Sequence, residues 1–214
     1  MLNPSFLDAM PADPPRLFLI TPPISDSAAF APILASALAS GDVACVLLRT
    51  EGRDDGETKK IIRALAPLAQ NRGVALLLEG DDQLAIRANA DGRHVLGAGE
   101  TLKTALKALH PDRIVGAGGV LSRDAAMTAG EAGADYVMLG GPGGLRRRED
   151  VLARVAWWAE IFNVSCVGYA HELADASALA EAGADFIAFG DAVFDDPRGP
   201  AAALADVAAS IAKT

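Results

Sequence analysis

Charged residues and glycine-rich segments follow short apolar runs of this chain, and their types suit the binding of phosphate and metal ions. Arg49 ends the run VACVLLR and Glu79 ends VALLLE, while three later runs lead into GAGG, GGPGG and FGD. Exposed backbone N–H groups of glycine segments can bind a phosphate, and carboxylate oxygens are ligands for Mg²⁺. The pattern predicts a local site for a small anionic ligand.

The expected anion site consists of the residues at the ends of these runs. Three arginines follow GGPGG in a chain whose formal net charge is −9, so a phosphate must be attracted locally. Alternatively, the glycines only form tight turns, and some of the arginines are ordinary solvated residues. The candidate substrate- or phosphate-binding residues are Gly116, Gly118, Gly119, Gly140, Gly141, Gly143, Arg146, Gly168, Tyr169 and Asp191.

Four other residues are candidates for metal binding and catalysis. Asp81 and Glu100 follow neighbouring apolar runs and could together hold one Mg²⁺ with a substrate's phosphates. A helix cap is the alternative role for Asp81. Arg49 and His94 are the candidate catalytic residues, although a histidine inside an apolar run more often has a buried structural role.

The elements that must position these residues repeat along the chain. EAGADYVMLG, residues 131–140, returns as EAGADFIAFG, residues 181–190, and each copy predicts a helix end, a glycine and a buried strand. The apolar runs do not alternate with polar residues, which indicates strands buried on both faces. Eight such strands alternating with eight helices predict an α/β fold, a single-domain parallel (β/α)₈ TIM barrel over residues 16–214. Residues 1–15 are expected to form a short Pro-rich extension.

The composition restricts the partners of such a barrel. Apolar residues make up 51% of the chain but aromatic residues only 5%, which predicts an aliphatic core and no stacking platform for nucleic acid. The acidic net charge also argues against nucleic acid and anionic membranes. Neither a signal peptide nor an apolar run of membrane-spanning length is present, so a cytoplasmic protein is expected. We expect a small phosphorylated or heterocyclic ligand, and leave homo-oligomer formation open.

The chain resembles the thiamine phosphate synthase/TenI family from RLFLIT to its last helix. LFLIT is similar to the family's LYLIT, NADGRHVLGAGE to GADGVHLGQxD, and AGADYVMLG to AGADYVxLG. The resemblance implies a TIM barrel in which Mg²⁺ and an arginine hold a pyrimidine pyrophosphate that reacts with a thiazole phosphate. It implies that Arg49 binds pyrophosphate, that Asp81 and Glu100 bind the metal, and that residues 116–119 lie beside the pyrimidine.

Several family positions carry other residues here. Leu47 stands at a glutamine, GAGGVLS lacks the Ser and His of GxSxHS, and Tyr169 and Ala170 replace the glycine pair that binds the thiazole phosphate. Asp191 stands at a serine, where a carboxylate would repel phosphate. These differences predict weak thiazole phosphate binding and very low or absent synthase turnover. Two alternatives therefore stay open: a diverged TenI-like barrel that binds a related ligand, and a phosphosugar-type barrel enzyme.

Overall fold

Eight parallel strands close on themselves in sequence order, so that the last strand pairs with the first. This computed structural model describes residues 14–50, 54–141, 144–145 and 147–212. The closed barrel confirms the predicted (β/α)₈ architecture. The strands are β1 Arg16–Pro23, β2 Val43–Arg49, β3 Ala75–Glu79, β4 Gly92–Leu96, β5 Ile114–Gly118, β6 Tyr136–Leu139, β7 Ser165–Ala170 and β8 Phe186–Phe189.

Helices connect the strands and cover the outside of the barrel. They are α1 Ser27–Leu38, α2 Asp55–Gln70, α3 Asp82–Ala88, α4 Glu100–Leu109, α5 Arg123–Glu131, α6 Arg148–Ile161, α7 Asp175–Glu181, α8 Asp191–Phe194 and α9 Pro200–Ile211. The short helix α8 was not predicted, because four residues are too few to show a helical period. Within the described residues, no helix combines the length and apolar character needed to span a bilayer.

The aspartate in each copy of the repeated sequence connects two neighbouring strands at their N-terminal ends. Asp135 precedes β6 and its carboxylate accepts the N–H of Val115 in β5 at 2.7 Å. Asp185 precedes β8 and accepts the N–H of Cys166 in β7 at the same distance. Each aspartate thereby joins the strand it precedes to the strand before it.

A third copy of this arrangement joins β3 to β4. Asp91 precedes β4 and accepts the N–H of Leu76 at 2.8 Å. Two residues before it, Asn89 ends α3 with a positive φ of 56°, as Gly133 and Gly183 end α5 and α7 with φ of 96° and 89°. The repeat is not evident in the sequence at this copy, because asparagine, which also tolerates the left-handed conformation, stands in place of glycine.

Side chains fill the interior of the barrel, and two glycines of β5 make room for two of its ring side chains. A Cβ atom on Gly116 would lie 1.9 Å from Cζ of Tyr136, and one on Gly118 would lie 2.3 Å from Nε2 of His94. The two rings occupy that space, with His94 Nδ1 2.7 Å from the Tyr136 hydroxyl. Both side chains are buried, so the barrel encloses one polar pair among apolar residues.

Replacing Gly116 with alanine should destabilise the barrel strongly. The added methyl group would overlap the Tyr136 ring, which closely packed neighbours hold in place. We expect the free energy of unfolding to fall by about 3 kcal/mol, at the upper end of typical overpacking costs. Gly80→Ala is the matched control, since no atom lies within 4 Å of its added Cβ. Urea denaturation measures both, and a Gly116→Ala protein as stable as Gly80→Ala would contradict the packing described.

Acid should destabilise the protein through His94. Burial lowers the pKa of His94 from 6.5 to about 4 because the interior penalises the imidazolium. Between these two pKa values the unfolded chain binds a proton that the native chain does not. The free energy of unfolding therefore falls as the pH falls from about 6.5 to about 4. The total decrease over this pH range is about 3 kcal/mol.

Denaturation at several pH values measures this effect against a variant without the imidazole. His94→Gln should be less stable near pH 7 but should lose less stability on acidification, because glutamine does not titrate. Parallel pH curves for the two proteins would show that His94 does not contribute.

Candidate active site

The C-terminal ends of the strands form the barrel mouth, and an ion pair lies at the exits of β2 and β3. Nε of Arg49 is 3.5 Å from Oε2 of Glu79, and the two side chains are only 17% and 19% exposed. The backbone N–H of Arg49 donates to the hydroxyl of buried Thr21 at 3.0 Å, which fixes the end of β2. A partly desolvated guanidinium at this position can bind an anionic group of a ligand.

Tyr169 of β7 extends towards the exit of β8. Its hydroxyl lies 3.2 Å from where a Cβ of Gly190 would stand, and its ring meets that of His171 edge to face at 4.9 Å. Burial raises the pKa of Tyr169, the charge of Asp191 raises it further, and that of Arg49 lowers it. The neutral phenol is thus close enough to both the Asp191 carboxylate and the Arg49 guanidinium to feel their charges.

The glycines after β6 have positive φ angles, which residues other than glycine rarely adopt. Gly140 and Gly141 have φ of 94° and 89°, and a Cβ on either would press against Tyr169 or Met138. Gly119, after β5, has φ of 64°. These observations account for the glycines by turn geometry and packing, while their phosphate-binding role stays a prediction. Gly143 and Arg146 lie outside the described residues.

Three candidates lie inside their strands and not at the strand ends. His94, Gly116 and Gly168 each stand two residues before the last residue of their strands. Gly168 also faces outwards, because a Cβ there would lie 2.9 Å from Leu179 in α7 and 3.2 Å from Val155 in α6. The expectation that Gly116 and Gly168 end their strands is wrong, since each strand continues for two further residues, whereas His94 lies inside its run as the sequence indicates.

The two candidate metal ligands take part in other contacts. Asp81 caps α3, and its Oδ1 accepts the N–H of Gln83 at 2.6 Å, which is the alternative role considered for it. Glu100 begins α4, is highly exposed and lies 2.8 Å from Nζ of Lys103. Among the described residues, no three His, Cys, Asp or Glu side chains form a group able to hold a metal ion.

Beside the mouth, Arg148 contacts a carboxylate that the sequence did not single out. Its Nε donates to Oδ1 of Asp175, which is nearly buried, and Oδ2 of Asp175 accepts the N–H groups of His171 and Glu172 at 3.0 Å each. A cavity of about 330 Å³ adjoins this group. Arg147, by contrast, is largely exposed and lies near Glu149 and Asp150 on the outside. No local sequence pattern indicates the contact between Arg148 and Asp175, because the two residues are 27 positions apart.

Comparison with other proteins identifies relatives of the whole barrel. The sequence model of a family described as thiamine monophosphate synthase matches residues 17–193. The thiamine-phosphate synthase of Rhodospirillum centenum is 42% identical over 196 residues, which cover 89% of this chain and 95% of the relative. That of Hyphomonas neptunium is 37% identical over 206 residues, covering 92% of this chain and 93% of the relative.

Solved structures with low sequence identity share the fold. The thiamine phosphate pyrophosphorylase of Pyrococcus furiosus superposes with a TM-score of 0.79 at 20% identity, covering 92% of this chain and 96% of that one. A 3-hexulose-6-phosphate synthase gives a TM-score of 0.69 at 16% identity, covering 91% of this chain and 99% of that one. These likenesses concern the fold alone, whereas the sequence matches show that the chain belongs to the thiamine monophosphate synthase family.

Proposed function

We propose that this protein is a thiamine phosphate synthase of low turnover. It would join a pyrimidine pyrophosphate to a thiazole phosphate and release pyrophosphate. The observation that carries the proposal is the 42% identity to a relative named for that activity, along 95% of its length. The barrel mouth supports it with a partly buried arginine, Arg49, to which the family resemblance assigns the pyrophosphate.

The residues at the exits of β2 and β3 suit a pyrophosphate leaving group. Arg49 offers a planar guanidinium that can donate two hydrogen bonds to phosphate oxygens. Glu79, 3.5 Å away, keeps the guanidinium oriented before a ligand arrives. In the proposed reaction the C–O bond to the pyrimidine methylene breaks and pyrophosphate leaves with the electron pair. The thiazole nitrogen then forms the new C–N bond, while Arg49 stabilises the charge that develops on the departing oxygen.

The carboxylates near this end are of the type that Mg²⁺ uses. Asp81 and Glu100 each make the contact described above through one oxygen, and a second oxygen on each could join the ligand's phosphates around one ion. A bound Mg²⁺ would neutralise pyrophosphate charge. Arg49 would hold the leaving group in line with the methylene.

Residues on the opposite side of the mouth are the reason for proposing a low turnover. Asp191 brings a carboxylate to the exit of β8, and Tyr169 fills space beside Gly190. A carboxylate about 4 Å from a phosphate costs roughly 1 kcal/mol per charge pair in water and about 4 kcal/mol at a partly buried site. The same two residues favour a second candidate function, a barrel that binds a related heterocyclic or phosphorylated ligand without turnover.

Replacing Arg49 with glutamine should weaken the pyrophosphate side. Loss of charge-assisted hydrogen bonds should lower kcat/KM for the pyrimidine pyrophosphate roughly 10- to 100-fold. Pyrophosphate release in the presence of both substrates and Mg²⁺ measures the effect, and chelation by EDTA should abolish release.

Arg63→Gln is the matched control, because it removes the same charge from an exposed position on α2. Equal activities of the two variants would contradict the role of Arg49. If the wild-type protein binds the pyrimidine pyrophosphate but releases no pyrophosphate from it, the synthase function is wrong. The second candidate function, ligand binding without turnover, then takes its place.

Removing the charge of Asp191 should improve binding of the acceptor. Asp191→Asn keeps the size of the side chain and should tighten thiazole phosphate binding about tenfold, because it removes one repulsive charge pair. Isothermal titration measures the dissociation constant. Asp195→Asn, at the other end of α8, changes the same charge at another exposed position and should have a much smaller effect. Equal affinities of wild type and Asp191→Asn would show that this carboxylate does not face the phosphate.

A further inference from the structure

The buried His94–Tyr136 pair has a definite orientation relative to the barrel mouth. Along β5, Gly116 lies against the Tyr136 ring, and Gly118, the last residue of the strand, lies beside Nε2 of His94. Gly118 is therefore the nearer of the two to the mouth. The Nδ1 edge of the imidazole meets the Tyr136 hydroxyl in the core, and the Nε2 edge lies at the level where β5 ends.

The chemistry of the two groups decides which one donates. A phenol is a stronger hydrogen-bond donor than a neutral imidazole N–H, and an unprotonated imidazole nitrogen is a stronger acceptor than a phenol oxygen. Nδ1 and the hydroxyl oxygen lie 2.7 Å apart, and this difference in strength favours donation from Tyr136 to Nδ1. The partner of one ring nitrogen fixes the state of the other, so Nε2 carries the proton. Burial lowers the pKa of His94 to about 4, so the ring is neutral near pH 7.

We propose that Tyr136 is a positioning residue that holds His94 as the Nε2–H tautomer, and that this N–H donates to a ring nitrogen of an uncharged heterocycle at the barrel mouth. The missing side chain of Gly118 allows the imidazole to reach this position, with Nε2 at the level where β5 ends. The identity of the heterocycle rests on the proposed function, which makes it the pyrimidine.

Nitrogen NMR of the full-length protein tests the tautomer directly. The chain has three histidines, His94, His110 and His171, which keeps the long-range ¹H–¹⁵N spectrum simple. We expect His94 to show the Nε2–H pattern near pH 7. The probe is the pyrimidine alcohol without its pyrophosphate, so that Arg49 and any metal contribute little. Adding it should shift the Nε2 resonance of His94 and leave that of His110 unchanged.

Tyr136→Phe tests the positioning role. Without the hydroxyl, His94 should show a mixture of tautomers, and the dissociation constant of the probe should rise about tenfold. Phe186→Leu is the control for simple destabilisation, because Phe186 is buried in the same interior cluster but has no polar group. It should lower Tm without changing the tautomer or the affinity. If Tyr136→Phe does not fold, the wild-type spectra decide the question alone.

The outcomes separate this inference from the proposed function. An Nδ1–H pattern in the wild type, or a probe that binds without shifting the Nε2 resonance of His94, overturns the inference but leaves synthase activity untouched. A shifted Nε2 resonance without any pyrophosphate release from the pyrimidine pyrophosphate supports the inference and overturns the synthase. If neither the alcohol nor the pyrophosphate form shifts His94, the inference is wrong.

Discussion

Three of the eight pairs of neighbouring strands are held together by a carboxylate that accepts a backbone N–H across their N-terminal ends. Asp91, Asp135 and Asp185 each make this bond, and each is followed by the residue that begins the next strand. The equivalent pairings are Leu77 with Gly92, Gly116 with Tyr136 and Val167 with Phe186. Because register determines which side chains face inwards, these three bonds help to set the contents of the barrel.

The contact between Asp135 and Val115, which joins β5 to β6, positions residues of the candidate site. It sets Tyr136 beside Gly116, where the missing side chain leaves space for a phenol ring, and Gly118 two residues on leaves space for His94. The resulting layer is neutral and buried, whereas Arg49, Glu79 and Asp191 bring charge to the mouth above it. The site therefore combines an uncharged floor with a charged rim, an arrangement suited to a ligand that has a flat ring and an anionic group.

The sequence predicted the barrel well because strand and helix patterns are local, but it predicted the site only in part. Arg49 lies at the mouth as expected, and Asp81 takes the capping role considered as its alternative. The outward direction of Gly168 depends on helices that pack behind β7, which no local pattern encodes. The contacts of Tyr136 with His94 and of Arg148 with Asp175 join residues 42 and 27 positions apart. Such pairs become evident only when the strands are arranged in space.

The aspartate contacts also define how the protein can be divided. Each lies within one pair of strands, β3 with β4, β5 with β6 or β7 with β8, and the helices α4 and α6 connect one pair to the next. New chain termini introduced at these two helices would leave all three contacts within continuous stretches of sequence. The strand pair is therefore the natural module for circular permutation, and for fragments that reassemble into a closed barrel.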